Sequence, residues 1–427
     1  MNTKKPDKKE FIKNILFCKW DHVFLKTALE SNHVCHLVLD KYDAKSHDFN
    51  KELADKCASF ITVSSFDSIE ELSAVAGHFI SSEIKIDFVV SNGEYGHYGA
   101  GLLGSIFEVP NINIHSVTSV RDKILMKKMA VDGGLRAASY TSIPDISDIS
   151  NFKSKLRHLS YPLVLKPSNG VGTRYTYILK NDQDLKVAAE EISSNLCPPL
   201  YSRSFIIEEF IPGEEYNIDA VWLNGKPVLF SIAKYFSPVI QYKNSTVGLR
   251  ILNKEDHEEL YEELYSMNIK ANKIFNIRNG LTHMQVLKEP GKPAVFTEIA
   301  TRHCGGYGCE AIEKKWGIDN REAFIRILLG CEKSDLAFNE TPHKHVGYFN
   351  VSPENPGVVV NSPNPEEIKK FNGVLEVKQC LFDGEDYAND YGCNWTMLVL
   401  VGTESIDKFH EIVNTVNEKF KYQTVGN

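Results

Sequence analysis

The chain has 427 residues, 48 of them Lys or Arg and 56 Asp or Glu, for a formal net charge of −8. That balance excludes the clustered positive surface a nucleic-acid partner needs, while leaving room for a local anion site. No apolar run nears the ~20 residues of a membrane span, so a cytoplasmic protein is predicted, with no leader, no membrane partner and two or three domains.

Residues 1–10 are expected to be a loose polar tail. Asn14–Cys18, Val34–Leu39, Phe60–Val63 and Ile86–Val90 read as strands. Helical stretches fall between them, Ile69–Ser81 being one, and this alternation predicts a parallel, Rossmann-like α/β sheet. The segment Ser91–Gly99 follows the last of these strands. It is either a tight strand-to-helix turn or part of a substrate pocket, because ligands of open α/β sheets sit at the carboxyl ends of strands. A further strand is expected over Asn111–Ile114, then a helix over Val120–Met129 that Gly133-Gly134 would end. Lys127 and Lys128 of that helix are expected to be solvated.

Tyr161–Leu179 reads as strand, turn, strand. Lys166 closes the first strand, and Ser168-Asn169-Gly170-Val171-Gly172-Thr173 forms a small-residue turn. Glycines spaced by one residue let backbone N–H groups approach phosphate oxygens, and Lys166 can add a point charge. By itself the stretch fits a glycine-containing hairpin equally well. Asp182–Ser193 is an amphipathic helix with Leu185, Ala188, Ala189 and Ile192 on one face. Phe205–Ile211 is an apolar strand running into Pro212-Gly213, which is expected to act as a hinge. Val221–Leu229 is a hairpin turned by Asn224-Gly225, and residues 234–250 read as a surface loop beside the site. A long helix spans Glu255–Phe275. Strands follow at Thr282–Val286 and Ala294–Arg302, closed by His303-Cys304-Gly305-Gly306. Helices are expected over Glu310–Trp316 and Arg321–Leu329, and His345–Asn427 reads as a β-rich module closed by a helix over Ile406–Phe420. The nine cysteines form no Cys-x-x-Cys pair, so neither a zinc site nor a disulfide framework is indicated.

Taken in order, the glycine turn after Lys166, the strand with Glu208 and Glu209, Glu214-Glu215, and the strand with Glu298 and Arg302 resemble the ATP-grasp superfamily. The likeness runs from about Arg121 to Gly306 and is closest to ADP-forming carboxylate–amine ligases such as the L-amino-acid ligases. It implies a pre-ATP-grasp α/β domain over residues 1–120, a two-lobed ATP-grasp domain over 121–333 (small lobe about 135–210) and a C-terminal α+β module over 334–427. It also implies ATP and Mg2+, with Mn2+ as a substitute. Lys123, which follows Asp122 at the head of its helix, Lys166 and the turn residues Ser168, Asn169, Gly170, Gly172 and Thr173 would hold the triphosphate. Glu208, the backbone at Glu209 and the Ile211 N–H would meet adenine, and Glu215 the ribose.

Glu298 would be the carboxylate ligand of the metal, since Mg2+ takes hard oxygens. Gln285 stands where relatives carry an acid, and Ala300 where many carry Asn, so a weaker amide oxygen replaces one ligand and a second metal is left open. His283 is expected to line the pocket. Arg302 would act with Lys166 in catalysis, gripping an acyl phosphate in the bidentate manner that suits arginine. The implied reaction is amide formation between a carboxylate, an amino acid by preference, and an amine, with ADP and phosphate released. A carrier-protein thiol as acceptor, or a silent ATP-binding module, are the alternatives, and a homodimer is the default assembly.

Overall fold

The computed structural model describes residues 12–91, 93–149, 156–195, 202–242, 245–339, 341–388 and 394–426. The expected tail over 1–10 lies outside these residues, as do Asn92 of the 91–99 turn and Lys243-Asn244 of the 234–250 segment. The fold is mixed α/β, and no helix among the described residues is long and apolar enough to cross a membrane. The chain divides into two compact units. One holds the residues up to Val117 with Ile325–Cys331, and the other holds Thr118–Phe324 with Glu332 onward.

In the first unit, β1 (Asn14–Cys18), α1 (His22–Glu30), β2 (Val34–Asp40), α2 (Lys51–Ala54), β3 (Ser59–Val63), α3 (Ile69–Ser81), β4 (Phe88–Ser91) and α4 (Glu94–Ile106) alternate. The sheet runs β3-β2-β1-β4 with every pairing parallel. Leu16, Val38 and Val89 pack with Leu72, Val75, Ala76 and Phe79 of α3, as the near-continuous apolar strands of a covered parallel sheet require. The expected strand over Asn111–Ile114 does not form. Asn111 instead uses its side-chain amide as a substitute strand: Nδ2 donates to the Val89 carbonyl (2.6 Å) and Oδ1 accepts from the Val89 N–H (3.4 Å), closing the free edge of β4. Asn113 Oδ1 accepts from Ser116 N (2.9 Å) at the head of α5 (Ile114–Arg121). Asparagine side chains readily bond backbone groups in place of a ladder, so the polar-apolar alternation over Asn111–Ile114 builds no strand.

The second unit opens with α6 (Lys123–Asp132). Its N-cap, Asp122, accepts from the N–H groups of Ile124 and Leu125, the role a short acidic side chain fills at a helix start. A small lobe follows from β5 (Tyr140–Ile143), β6 (Leu163–Pro167), β7 (Tyr177–Leu179), α7 (Asp182–Asn195) and β8 (Phe205–Glu209), with the antiparallel order β5-β8-β6-β7. Because side chains alternate along a strand, Leu163, Leu165, Phe205 and Ile207 bury against Leu185, Ala188, Ala189 and Ile192 of α7. The intervening residues Val164, Lys166, Ile206 and Glu208 share the opposite face, since Val164 pairs with Glu208 and Lys166 with Ile206.

The larger lobe contains β9 (Glu214–Leu223), β10 (Lys226–Tyr235), β11 (Gly248–Ile251), α8 (Glu258–Ile274), β12 (Gly280–Lys288) and β13 (Val295–Ala300). Beyond them lie α9 (Gly308–Trp316), α10 (Asn320–Leu328), β14 (His345–Asn350), β15 (Gly357–Asn361), α11 (Pro365–Ile368), β16 (Val374–Gln379), β17 (Asp386–Tyr387), β18 (Met397–Thr403), α12 (Ile406–Lys419) and β19 (Gln423–Val425). Asn224 and Gly225, with φ of 53° and 76°, turn β9 into β10, the left-handed pair a tight hairpin needs. An eight-stranded sheet runs β13-β12-β9-β10-β11-β14-β18-β16. The C-terminal segment therefore extends this sheet by three strands, and it also carries a small sheet, β17-β15-β19. The 234–250 segment, expected as a loop, begins with the end of β10 and ends in β11.

Alternation on β9 and β12, with a register shift in β13 between Phe296 and Glu298, sets the site. Tyr216, Ile218, Met284, Val286, Phe296 and Ile299 pack beneath α8 and α6, against Leu264, Ala271, Met126 and Ala130. Glu215, Asn217 and Asp219 of β9, His283 and Gln285 of β12 and Glu298 of β13 occupy the other face, with Gln285 directly between Asn217 and Glu298.

Candidate active site

The polar faces of the two lobes are joined by α6. Lys123 and Lys127 lie four residues apart, on one side of the helix. Lys123 Nζ donates to the Gly170 carbonyl at 2.8 Å and pairs with Glu298 Oε2 at 3.1 Å. One turn on, Lys127 Nζ lies 2.8 Å from Glu208 Oε2, and Glu208 Oε1 lies 2.5 Å from Lys166 Nζ. Glu298 of the large sheet and Glu208 of the small sheet are thus tied to one helix by two lysines, with Lys166 anchored beside them.

The glycine turn is docked on the same helix. The Lys123 N–H donates to the Ser168 carbonyl (2.7 Å), and Arg121 Nη1 reaches the Gly170 carbonyl (3.5 Å). Gly172 and Thr173 take φ of 63° and 60°. The Thr173 hydroxyl donates to the Gly172 carbonyl (2.6 Å), a local bond that helps offset the cost of a β-branched residue at positive φ. Asn169 Oδ1 is buried without a hydrogen-bond partner among the described residues, an open acceptor within the turn.

These charges shift one another. Burial alone would raise the Glu208 carboxyl, but Lys127 and Lys166 bring it down to about 2. Lys166 is raised: burial opposes its charge, and Glu208 and Glu298 outweigh burial. Lys127 is lowered because its burial is complete and Glu208 offsets only part of the cost. Burial lifts Glu215 to about 7, with Glu298 pushing the same way and the Val239 N–H and Lys166 opposing.

The structure changes several expectations. Lys127, expected in solvent, is 1 % exposed, because it sits on the Lys123 side of α6, whereas Lys128 pairs with Asp132 in solvent. The spacing of four from Lys123 was the available signal. The strand expected over Ile206–Ile211 ends at Glu209 and lies between β5 and β6, so it has no free edge of its own. Glu209 N donates to the Ser139 carbonyl (2.9 Å) and Phe210 N to that of Pro162 (3.2 Å). Ile211 is the first residue past these pairings.

Glu215 holds the Gln285 amide and the Val239 N–H, at 2.9 and 2.8 Å, which turns its carboxylate toward the Gln285 and Glu298 row. The last strand of the site stops at Ala300. Arg302 therefore lies two residues past it, in a bend, and strand alternation does not decide its direction; its Nη1 donates to the His303 carbonyl (2.7 Å). His283 is buried in a pair with Asp219 (2.8 Å). At the closing turn Gly306 has a φ of 62°, and a Cβ there would meet the Tyr348 hydroxyl at 2.6 Å, so glycine is required. Tyr348 in turn donates to the Gly305 carbonyl (3.2 Å). Cys304 and Cys309 face one another at 3.8 Å, both buried.

Among the described residues no three His, Cys, Asp or Glu side chains cluster as a self-sufficient metal site. A carboxylate opposite an amide, Glu298 across from Gln285, is a hard-oxygen pair that fits an ion taking its other ligands from phosphate and water.

Residues 159–311 match the ATP-grasp domain family, a span that includes the turn, Glu208, Glu215, Gln285, Glu298 and Arg302. The chain is 26 % identical over 300 residues to an L-arginine-specific L-amino acid ligase of Bacillus subtilis, covering 70 % of each protein. It is 26 % identical over 197 residues to a D-alanine–D-alanine ligase B of Clostridium perfringens, covering 45 % of this chain and 61 % of that one. An L-amino acid ligase from Bacillus licheniformis shares the fold with a TM-score of 0.78 at 16 % identity, over 98 % of this chain and all of that one. A biotin carboxylase from Campylobacter jejuni does so at 0.65 and 14 %, over 98 % of this chain and 93 % of that one. With the match lying on the elements that build the site, residues 159–311 carry an ATP-grasp domain, and the chain is similar to ligases of the L-amino-acid-ligase type.

Proposed function

We propose that the chain is an ADP-forming ligase that activates an amino-acid carboxylate with ATP and joins it to an amine. The observation carrying this reading is the charge relay on α6: Lys123 against Glu298, and Glu208 between Lys127 and Lys166. Such an array supplies fixed positive charge for a triphosphate beside a Glu208 carboxylate that its lysines keep ionised. The two relatives matched in sequence are an L-amino acid ligase and a D-alanine–D-alanine ligase, which favours an amino acid as the acid; which one is left to the assay.

Lys123 and Lys166 would neutralise the phosphates, and N–H groups of the Ser168–Thr173 turn would fix their orientation. The chain past Glu209, at Ile211, would meet the base. Glu298 and Gln285 would hold Mg2+, which when bound supplies charge neutralisation at the phosphates. A substrate carboxylate oxygen attacks the γ-phosphorus, the bond to the β-phosphate oxygen breaks, and ADP leaves. A neutral amine then attacks the acyl carbon. The tetrahedral adduct expels phosphate and its nitrogen loses a proton, giving the amide. Positioning and charge stabilisation carry most of such a reaction, so Arg302 is assigned to the acyl phosphate and the oxyanion.

Incubation with ATP, Mg2+ and pooled amino acids should release ADP only when amino acids are present, read by coupled assay and by mass spectrometry of the product. AMP release would overturn the acyl-phosphate route, and tight ATP binding without turnover would point to a binding module. Arg302→Lys is expected to lower kcat on the order of 10²-fold while the KM for ATP stays within a few-fold. An unchanged kcat would remove Arg302 from the chemistry.

A further inference from the structure

Lys127 has no part in the roles assigned so far, yet it is the most deeply buried charge of the site, 1 % exposed, with Glu208 at 6 % and Lys166 at 8 %. Lysine is almost never buried this fully unless paired. If the only need were to fasten α6 to the small-lobe sheet, apolar side chains of similar volume would do it as well or better, since a buried ion pair seldom adds net stability. The geometry offers another purpose. Glu208 has two oxygens: Lys127 Nζ forms an ion pair with Oε2 (2.8 Å), an oxygen that accepts no hydrogen bond, while Lys166 Nζ pairs with Oε1 (2.5 Å). Lys127 belongs to the helix whose Met126 and Ala130 are packed into the large lobe's core, so it fixes the carboxylate from a rigid base. Lys166 is the penultimate residue of β6, two residues before the turn docked on Lys123.

We infer that Lys127 is a positioning residue: by occupying one oxygen of Glu208 it leaves a single oxygen for Lys166, and so holds the Lys166 ammonium toward the phosphate turn. This rests on the nucleotide site proposed above. Without Lys127, both oxygens of Glu208 are free to close on Lys166, and that ammonium is drawn back into the small-lobe sheet. The loss falls on the phosphates and spares the nucleoside.

Equilibrium binding of ATP and of adenosine to the full chain, with thermal unfolding alongside, tests this. In Lys127→Met, which keeps an unbranched chain of similar length, the Kd for ATP is expected to rise by at least about tenfold and that for adenosine to stay within about twofold. The double variant Lys127→Met/Glu208→Gln removes both buried charges of the pair. Its melting temperature should recover toward wild type, while its ATP affinity stays low because Lys166 has lost its anchor. A purely structural role predicts that stability and ATP affinity recover together, and that outcome overturns the inference. So does a Lys127→Met protein that binds ATP as wild type does, or one that loses ATP and adenosine equally. A wild-type chain that binds neither ligand overturns the nucleotide reading itself, and this inference with it.

Discussion

Glu298→Gln is expected to reduce amino-acid-dependent ADP release on the order of 10²- to 10³-fold while leaving the fold intact. Glu298 is the one carboxylate in the cross-strand row with Gln285 and Asn217, so the variant removes the charged oxygen of that row, the ligand type a divalent ion favours. The side chain is partly exposed and its partner Lys123 keeps the Gly170 carbonyl at 2.8 Å, so little stability should be lost. Steady-state ADP release and a thermal melt check the two halves of this result. Normal turnover would move the metal away from β13 and remove the main chemical assignment.

The second large effect concerns stability. Glu208→Gln is expected to destabilise the chain by about 3–5 kcal/mol, the usual cost of stranding one member of a buried ion pair. Lys127 would keep its burial and lose its counter-charge. The wild-type dependence on acid follows from the same group. Burial would raise the Glu208 carboxyl, yet its two lysines hold it at about 2, below the ordinary 4.5. A depressed carboxyl contributes stability that is present above its unfolded pKa and is lost as pH falls through the folded one. The Glu208 contribution should therefore be whole above pH 4.5 and fade between there and pH 2. Urea unfolding across this range should show a shallower acid slope in Glu208→Gln than in wild type. Parallel curves of equal midpoint would mean that the pair does not hold the lobe.

Much of this arrangement was legible in local patterns. Alternation along β9 and β12 separates Glu215 and Gln285 from the apolar residues beneath them, whereas Glu298 shares the face of Gln285 only because β13 shifts register between Phe296 and Glu298. Asn224-Gly225 marks its own turn. The helix expected from Val120 begins instead at Lys123, because the Asp122 side chain bonds its first free N–H groups. The misreadings share a cause as well. Asn111 looked like part of a strand because its neighbours alternate, whereas its side chain serves the edge of a strand more than twenty residues earlier. Arg302, expected within a strand, lies past the end of that strand at Ala300.

From the order of its residues alone, the chain determines its local elements, the side of each that turns inward, and the short-range pieces of a phosphate site. Those properties depend on backbone geometry and on neighbours a few positions away. Which charge meets which was decided only when the lobes came together. Lys127 and Glu208 are separated by some eighty positions, and nothing near either marks it as the other's partner. The pairing exists because α6, held by its apolar side in the large lobe, brings one lysine to each sheet, and a charge so deeply buried must find an opposite charge there.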